Sequence, residues 1–153
     1  MRSTEDTVRA LYRGFLAGDK DAMLAEMDDE VQLRFLGARM LNGKQEASRF
    51  LELQAGALHD VRFELTELIV DGERAAGIWR ETATRADGTP WKNHGVDIFH
   101  VRDGRVVSLH ENNDVREFYA LLPAEYRAVR AAGRPSPNEA TPNEATPNDV
   151  SIR

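Results

Sequence analysis

A carboxylate in the middle of an apolar strand is the feature of this sequence that most needs a chemical explanation. Asp97 is flanked by Val96, Ile98, Phe99 and Val101, a run that reads as a strand covered on both faces. Burial disfavours the charged form, so the pKa of such a carboxyl rises toward the range where an acid or base works near neutrality. The structural alternative is a buried Asp satisfied by Arg80 or by a backbone N–H. A second carboxylate, Glu111, and the guanidinium of Arg80 are the groups that strand parity can bring beside Asp97. Together they would position a water or polarise a substrate oxygen, or form an ordinary ion pair at the mouth of the sheet.

Which side chains join Asp97 depends on one turn. A two- or four-residue loop at Asp87-Gly88 pairs positions summing to 175 and places Ile78, Arg80, Thr82 and Thr84 on the face of Trp91, Asn93 and Asp97. A three-residue loop turns Trp79 and Glu81 inward instead. On the first register, Trp91, Asn93 and Phe99 share the pocket face, joined by Val107, Leu109, Glu111 and Asn113 from the next strand. From the first helix Phe15 is expected in the pocket wall, and Tyr12 either puts its hydroxyl into the same pocket or sits in the core with a solvated tip. Trp79, Val96 and Ile98 then lie on the outer face, with His94, His100 and His110 near them, and suggest a homodimer through that face.

The elements that must hold these residues follow from periodicity. Ser3 caps a helix in which Val8, Leu11, Tyr12, Phe15 and Leu16 form one apolar face, stopped at Gly18. Asp19 caps a short second helix. Val31, Leu33 and Phe35 alternate as a strand, and Asn42 with Gln45 suggests a capping box for a helix to about Leu58. Asp71-Gly72, Asp87-Gly88 and Asp103-Gly104 recur every sixteen residues and punctuate an antiparallel meander over 60–70, 74–85, 91–102 and 105–112. Asp114 and Glu117 start a last helix that Pro123 interrupts. The expected fold class is α+β, a curved antiparallel sheet wrapped around helices with an internal pocket, in one domain over 1–132.

Composition narrows the function. A net charge of −6 with singly scattered basic residues argues against a nucleic-acid or anionic-membrane surface. The chain has no Cys, so disulfides and thiolate chemistry are excluded. The four His make no metal-ligand spacing, and neither a Gly-rich phosphate loop nor G-x-S-x-G occurs. The expectation is chemistry without a metal or cofactor. The first residues have no apolar segment of a secretory signal, and no run is long enough to span a membrane, so the cytoplasm is the expected location.

Leu16-Ala17-Gly18-Asp19 and the run from Asp97 to Val107 (Asp-Ile-Phe-His-Val-Arg-Asp-Gly-Arg-Val-Val) resemble the NTF2-like superfamily, in particular its SnoaL-like, ketosteroid-isomerase-like branch. The likeness covers residues 4 to about 122. It implies a cone-shaped α+β barrel with a deep pocket, usually homodimeric, in a group that hosts isomerases, polyketide cyclases, dehydratases, epoxide hydrolases and binding proteins. Asp97 matches the oxyanion-stabilising Asp of the isomerases, whose general base would fall near Arg34 or Phe35 and whose tyrosine would fall at Leu11, beside Tyr12. The stretch from Glu111 to Phe118 resembles the end of limonene-epoxide hydrolases, with Glu111 at the place of a catalytic Asp and their other carboxylate at or beside Arg80. The resemblance thus implies an acid–base enzyme acting on a small apolar oxygenated molecule such as a polyketide, steroid or terpenoid. An epoxide hydrolase using Asp97, Arg80 and Glu111, or a dimeric ligand-binding module, would also suit it.

Residues 133–153 are of different composition: Pro137-Asn-Glu-Ala-Thr repeats at Pro142 and begins again at Pro147 without an aromatic residue. Such a segment buries too little apolar surface to offset its ordering entropy and is expected to be disordered. Deleting 134–153 should therefore leave the melting temperature within about a degree; a loss of several degrees in calorimetry would show that the segment docks on the domain.

Overall fold

The computed structural model describes residues 1–128, so the repeat segment lies outside the described residues. Helix α1 (Thr4–Ala17) begins where Ser3 Oγ accepts the Asp6 N–H and ends at Gly18, whose φ of 63° suits a residue without Cβ. Asp19 caps α2 (Lys20–Ala25) through the Ala22 N–H. Strand β1 (Met27–Phe35) leads through the short β2 (Leu41–Asn42) into α3 (Gly43–Ala55). The capping box there differs from expectation. Asn42 makes no side-chain cap, and Glu46, not Gln45, reaches back to accept the Asn42 N–H at 2.7 Å. The meander then runs β3 (Leu58–Asp71), β4 (Arg74–Arg85), β5 (Pro90–Arg102) and β6 (Arg105–Asn113). Helix α4 (Val115–Leu121), capped by Asp114, and a 3₁₀ turn (Ala124–Tyr126) complete it.

These strands form one curved, unclosed six-stranded sheet in the order β2-β1-β6-β5-β4-β3, antiparallel except where β1 runs parallel to β6. The parallel pair joins strands separated by the whole meander, and no local turn signal announces such a pairing. Helices α1 and α3 fill the concave side. Phe35 of β1 stacks on Phe50 of α3 at 4.5 Å between centroids and on Phe118 of α4 at 5.7 Å. Val8, Leu11 and Tyr12 of α1 pack beside Phe99, Val101 and Val106 in the same core.

The decisive turn closes with three residues. Arg85 N–H bonds to the Thr89 carbonyl and Gly88 N–H to the Arg85 carbonyl, both at 2.9 Å, leaving Ala86, Asp87 and Gly88 as the loop with Gly88 at φ 84°. Asp87 fixes this length because its carboxylate accepts both the N–H and the hydroxyl of Thr89. Partners in β4 and β5 consequently sum to 174: Gly77 opposes Asp97, Trp79 opposes Gly95 and Glu81 opposes Asn93. The one-residue difference from the even-loop register flips β4, so Trp79 and Glu81 point inward and Arg80 outward.

Two expectations fall with that flip. Arg80 is not a pocket residue; its side chain is 68% exposed and pairs with Glu64 across the β3–β4 ladder at 2.6 Å. Trp79 is buried and does not belong to the outer surface expected to hold a dimer. Nor is β5 covered on both faces by this chain: His94 and Ile98 are exposed and Val96 half-buried. A bulge where His100 and Val101 meet β6 also puts Val106, rather than Val107, into the core. Among the described residues no helix is long and apolar enough to cross a membrane.

Candidate functional site

The concave face of the sheet and the helices across it enclose a cavity of about 460 Å³. Its walls are mostly aromatic and aliphatic, including Phe15, Phe63, Trp79, Trp91 and Leu109. Three carboxyl groups interrupt that apolar lining: Asp97 from β5, Glu111 from β6 and Glu81 from β4. Asp97 and Glu111 are direct cross-strand partners, so the ladder itself sets these two carboxyls side by side.

Asp97 is 4% exposed and accepts one bond on each oxygen. Tyr12 Oη donates to Oδ2 at 2.7 Å and Trp79 Nε1 donates to Oδ1 at 2.9 Å. Both donors come from groups that the cavity would otherwise leave unsatisfied. Gly77 makes this contact possible. It opposes Asp97 on β4, and a Cβ there would fall inside van der Waals contact of the Tyr12 hydroxyl. Burial pushes Asp97 up to about 6, while the bonds from Tyr12 and Trp79 pull it back toward the ionised form. Tyr12, buried and beside that carboxylate, is held in its neutral, donating state.

Glu111 is raised well above the usual carboxylate range, first by burial and then by the charge of Asp97. The Asn113 amide donates to its Oε1 at 2.6 Å and opposes the shift. Glu81, 8% exposed, is pushed up to about 7 by burial and by Asp97. The coupling has a chemical consequence. Burial raises both carboxyls and the charge of Asp97 raises Glu111 further, so between the two ionisations the pair shares one negative charge and the cavity presents an acceptor and a donor side by side.

The expected site residues are thus distributed unevenly. Asp97, Glu111, Tyr12, Phe15, Trp91, Asn93 and Leu109 line the cavity. Phe99 lies fully buried beneath it, edge-on to Tyr12 at 5.7 Å, and supports the tyrosine rather than forming the wall. Asn113 stands behind Glu111 and orients it. With Arg80 on the outer face, the Asp97–Arg80–Glu111 cluster of the epoxide-hydrolase reading is not formed. Trp79 and Glu81 replace Arg80 inside, and the length of the Asp87-Gly88 turn is the signal that decides between them. Among the described residues no group of His, Asp and Glu is arranged to hold a metal ion.

A family model described as the SnoaL-like domain matches residues 8–109. The chain belongs to this family. Solved structures agree on the fold. An NTF2-like protein of unknown function from Burkholderia pseudomallei superposes with a TM-score of 0.71 at 22% identity, covering 81% of this chain and all of that one. TerC, co-crystallised with polyporic acid, gives 0.69 at 22% identity over 77% of this chain and 96% of its own. A protein from Jannaschia sp. CCS1, provisionally named a SnoaL-like polyketide cyclase, gives 0.66 at 17% identity over 77% and 92%. A search of curated proteins finds no match.

The geometry of this SnoaL-like domain makes two outcomes measurable. Gly77→Ala should cost about 1–3 kcal/mol in urea unfolding, and at least half of that loss should disappear in a Tyr12→Phe background, where no hydroxyl meets the new methyl. Asp97→Asn should be at least as stable as the parent at pH 7. The amide can still accept from Trp79 and donate to a rotated Tyr12 hydroxyl, and it removes a buried charge. Because the folded pKa of about 6 exceeds the ordinary aspartate value of 3.8, the stabilising contribution of the protonated form is complete below about pH 4. It is lost as pH rises through 6, with a ceiling of about 3 kcal/mol. Parallel urea titrations at pH 4 and 7 should show the parent, but not the Asn variant, losing this increment. A variant much less stable at pH 7 would make Asp97 structural.

Proposed function

We propose that this protein is an acid–base enzyme of cyclase, isomerase or dehydratase type, needing no cofactor and acting on a small, largely apolar molecule that carries a carbonyl or hydroxyl group. One observation carries the proposal: Asp97 and Glu111 face each other across a paired ladder inside an apolar cavity, with Asp97 the better provided with donors. An ionised carboxylate beside a neutral carboxylic acid can remove a proton from a carbon next to a carbonyl and at the same time protonate the carbonyl oxygen. Asp97 then holds the abstracted proton and Glu111 has lost its own. Returning the proton to a different carbon isomerises the substrate; expelling a β-hydroxyl as water dehydrates it; attack of the enol carbon on a second carbonyl closes a ring. Tyr12 and Trp79 keep Asp97 oriented throughout, and the aromatic walls exclude water. The polyporic acid in TerC and the cyclase name of the Jannaschia protein favour an oxygenated, ring-bearing substrate.

A ketone panel headed by 2-tetralone, followed by NMR in heavy water, tests the first step directly. The protein should accelerate exchange of the hydrogens next to the carbonyl, and Asp97→Asn or Glu111→Gln should reduce that rate about 10²-fold or more. The rate should climb as pH rises through about 6, where Asp97 ionises, and fall again at higher pH as Glu111 loses its proton. No exchange with any ketone, or equal rates for the parent and the Asn variant, would defeat the proposal.

A further inference from the structure

The acid–base pair leaves part of the cavity's polar lining unused. Farther along β4 and β5, toward the Ala86–Gly88 loop, Glu81 and Asn93 oppose each other across the ladder and both line the cavity. Glu81 is 8% exposed, and its carboxyl makes no hydrogen bond among the described residues. Its oxygens are not sealed in the interior, so a carboxyl lining the cavity without a partner among the described residues is open to a ligand atom.

Asn93 complements it. Its Oδ1 accepts two backbone N–H groups, His94 at 2.8 Å and Asp114 at 2.9 Å, where α4 begins. Those two bonds settle which end of the amide is oxygen. They leave Nδ2, with no partner among the described residues, as a donor on a side chain that is 4% exposed. Trp91, two residues before Asn93 on the same face, is 5% exposed, and its buried Nε1 also has no partner among the described residues. A carboxyl that can accept and an amide that can donate stand directly opposite each other. A hydroxyl group, which both donates and accepts, satisfies the two together.

We infer that Glu81 and Asn93 form a second polar subsite that holds a hydroxyl group at the far end of the substrate from the carbon on which Asp97 and Glu111 act. This deepens the proposed function by naming the substrate class: an elongated, uncharged molecule, aromatic or alicyclic in the middle, with an oxygen function at each end. The lengths agree. Asn93 and Asp97 share one face of β5 four residues apart, at most ~13 Å along the strand, so two fused or linked rings reach from one polar group to the other. The charge pattern agrees as well. Three carboxyl groups in one cavity repel an anionic end group at either position, whereas an alcohol or phenol meets only hydrogen-bonding partners. With Glu81 poised near pH 7 by burial and by Asp97, a hydroxyl finds an acceptor there in either protonation state.

Binding rather than turnover tests the subsite, so the result is separate from the fate of the Asp97 chemistry. Three rods of equal shape serve as probes in calorimetry or fluorescence quenching: biphenyl, 4-phenylphenol and 4,4′-dihydroxybiphenyl. The parent protein should bind the diol about 10-fold more tightly than the monophenol, the increment of one added hydrogen bond. Glu81→Leu should erase that difference, and Glu81→Gln, which keeps the shape and both hydrogen-bonding roles, should retain at least half of it. Biphenyl, which makes no polar contact, should bind all three proteins alike and so reports an intact pocket; Glu81→Met replaces the Leu variant if that control fails. Equal affinity of the parent for diol and monophenol, including no binding of either, overturns the subsite. So does a diol preference that survives in the Leu variant. Either result leaves the exchange assay on Asp97 and Glu111 untouched. Conversely, a protein that shows the diol preference but no exchange would keep the subsite and lose the catalytic reading.

Discussion

The site depends on the bonds that Tyr12 and Trp79 make to the Asp97 carboxylate. A carboxylate without partners in an apolar cavity would simply stay protonated. One donor arrives from α1 and the other from β4, so the pair also records how the helix sits on the sheet. Their reach is set by the absence of a side chain at Gly77, which lets the Tyr12 hydroxyl approach the strand opposite Asp97. Phe99 beneath the ring and Phe63 beside it hold the tyrosine in place. Fold and site are therefore coupled: whatever shifts α1 on the sheet also changes the proton affinity of Asp97.

Burial and hydrogen bonding act on Asp97 in opposite directions, and the balance is what makes the group useful. Desolvation alone raises all three carboxyls. Only Asp97 receives two side-chain donors, and both bonds favour its ionised form. Its charge then raises both neighbours, so an ionised Asp97 helps to keep Glu111 protonated. An acid and a base of nearly the same intrinsic strength are thus separated by environment alone. The buried charge leaves the fold less stable above pH 6 than its packing alone would permit.

Much of this architecture is visible in the sequence because it is encoded locally. Ser3, Gly18, Asp19 and Asp114 mark helix ends by chemistry confined to one turn. The three Asp-Gly pairs mark the meander, and alternation around Asp97 identifies the strand that carries the site. What escapes local reading is set by single-residue steps or by distance. The turn at Asp87-Gly88 has three residues because the Asp87 carboxylate binds Thr89, and this one step exchanged Arg80 for Trp79 and Glu81 in the pocket. The bulge that sends Val106 inward in place of Val107 is an error of the same kind. The parallel pairing of β1 with β6 joins segments some seventy residues apart, and nothing in either strand alone records the partner. Asn113 has the parity of a lining residue, yet it serves the site from behind Glu111.

The same register error shows why the charge inside the pocket matters more than its shape. With Arg80 inside, the cavity would hold a cation between two carboxylates. All three groups would be ionised, and the natural ligand would be a water or an epoxide oxygen polarised by the guanidinium. With Glu81 inside, no guanidinium lines the cavity, and the three carboxyls must share their charge by partial protonation. Lys20, the cation in the lining, is engaged with Glu52, so next to Asp97 an oxyanion would be met by a carboxyl proton, and Glu111, raised by burial and by the charge of Asp97, is the neighbouring donor. In the acid–base reading proposed above, the reaction turns on where two protons reside, and apolar walls such as Phe15, Trp79 and Trp91 would serve it by limiting the water that could redistribute them.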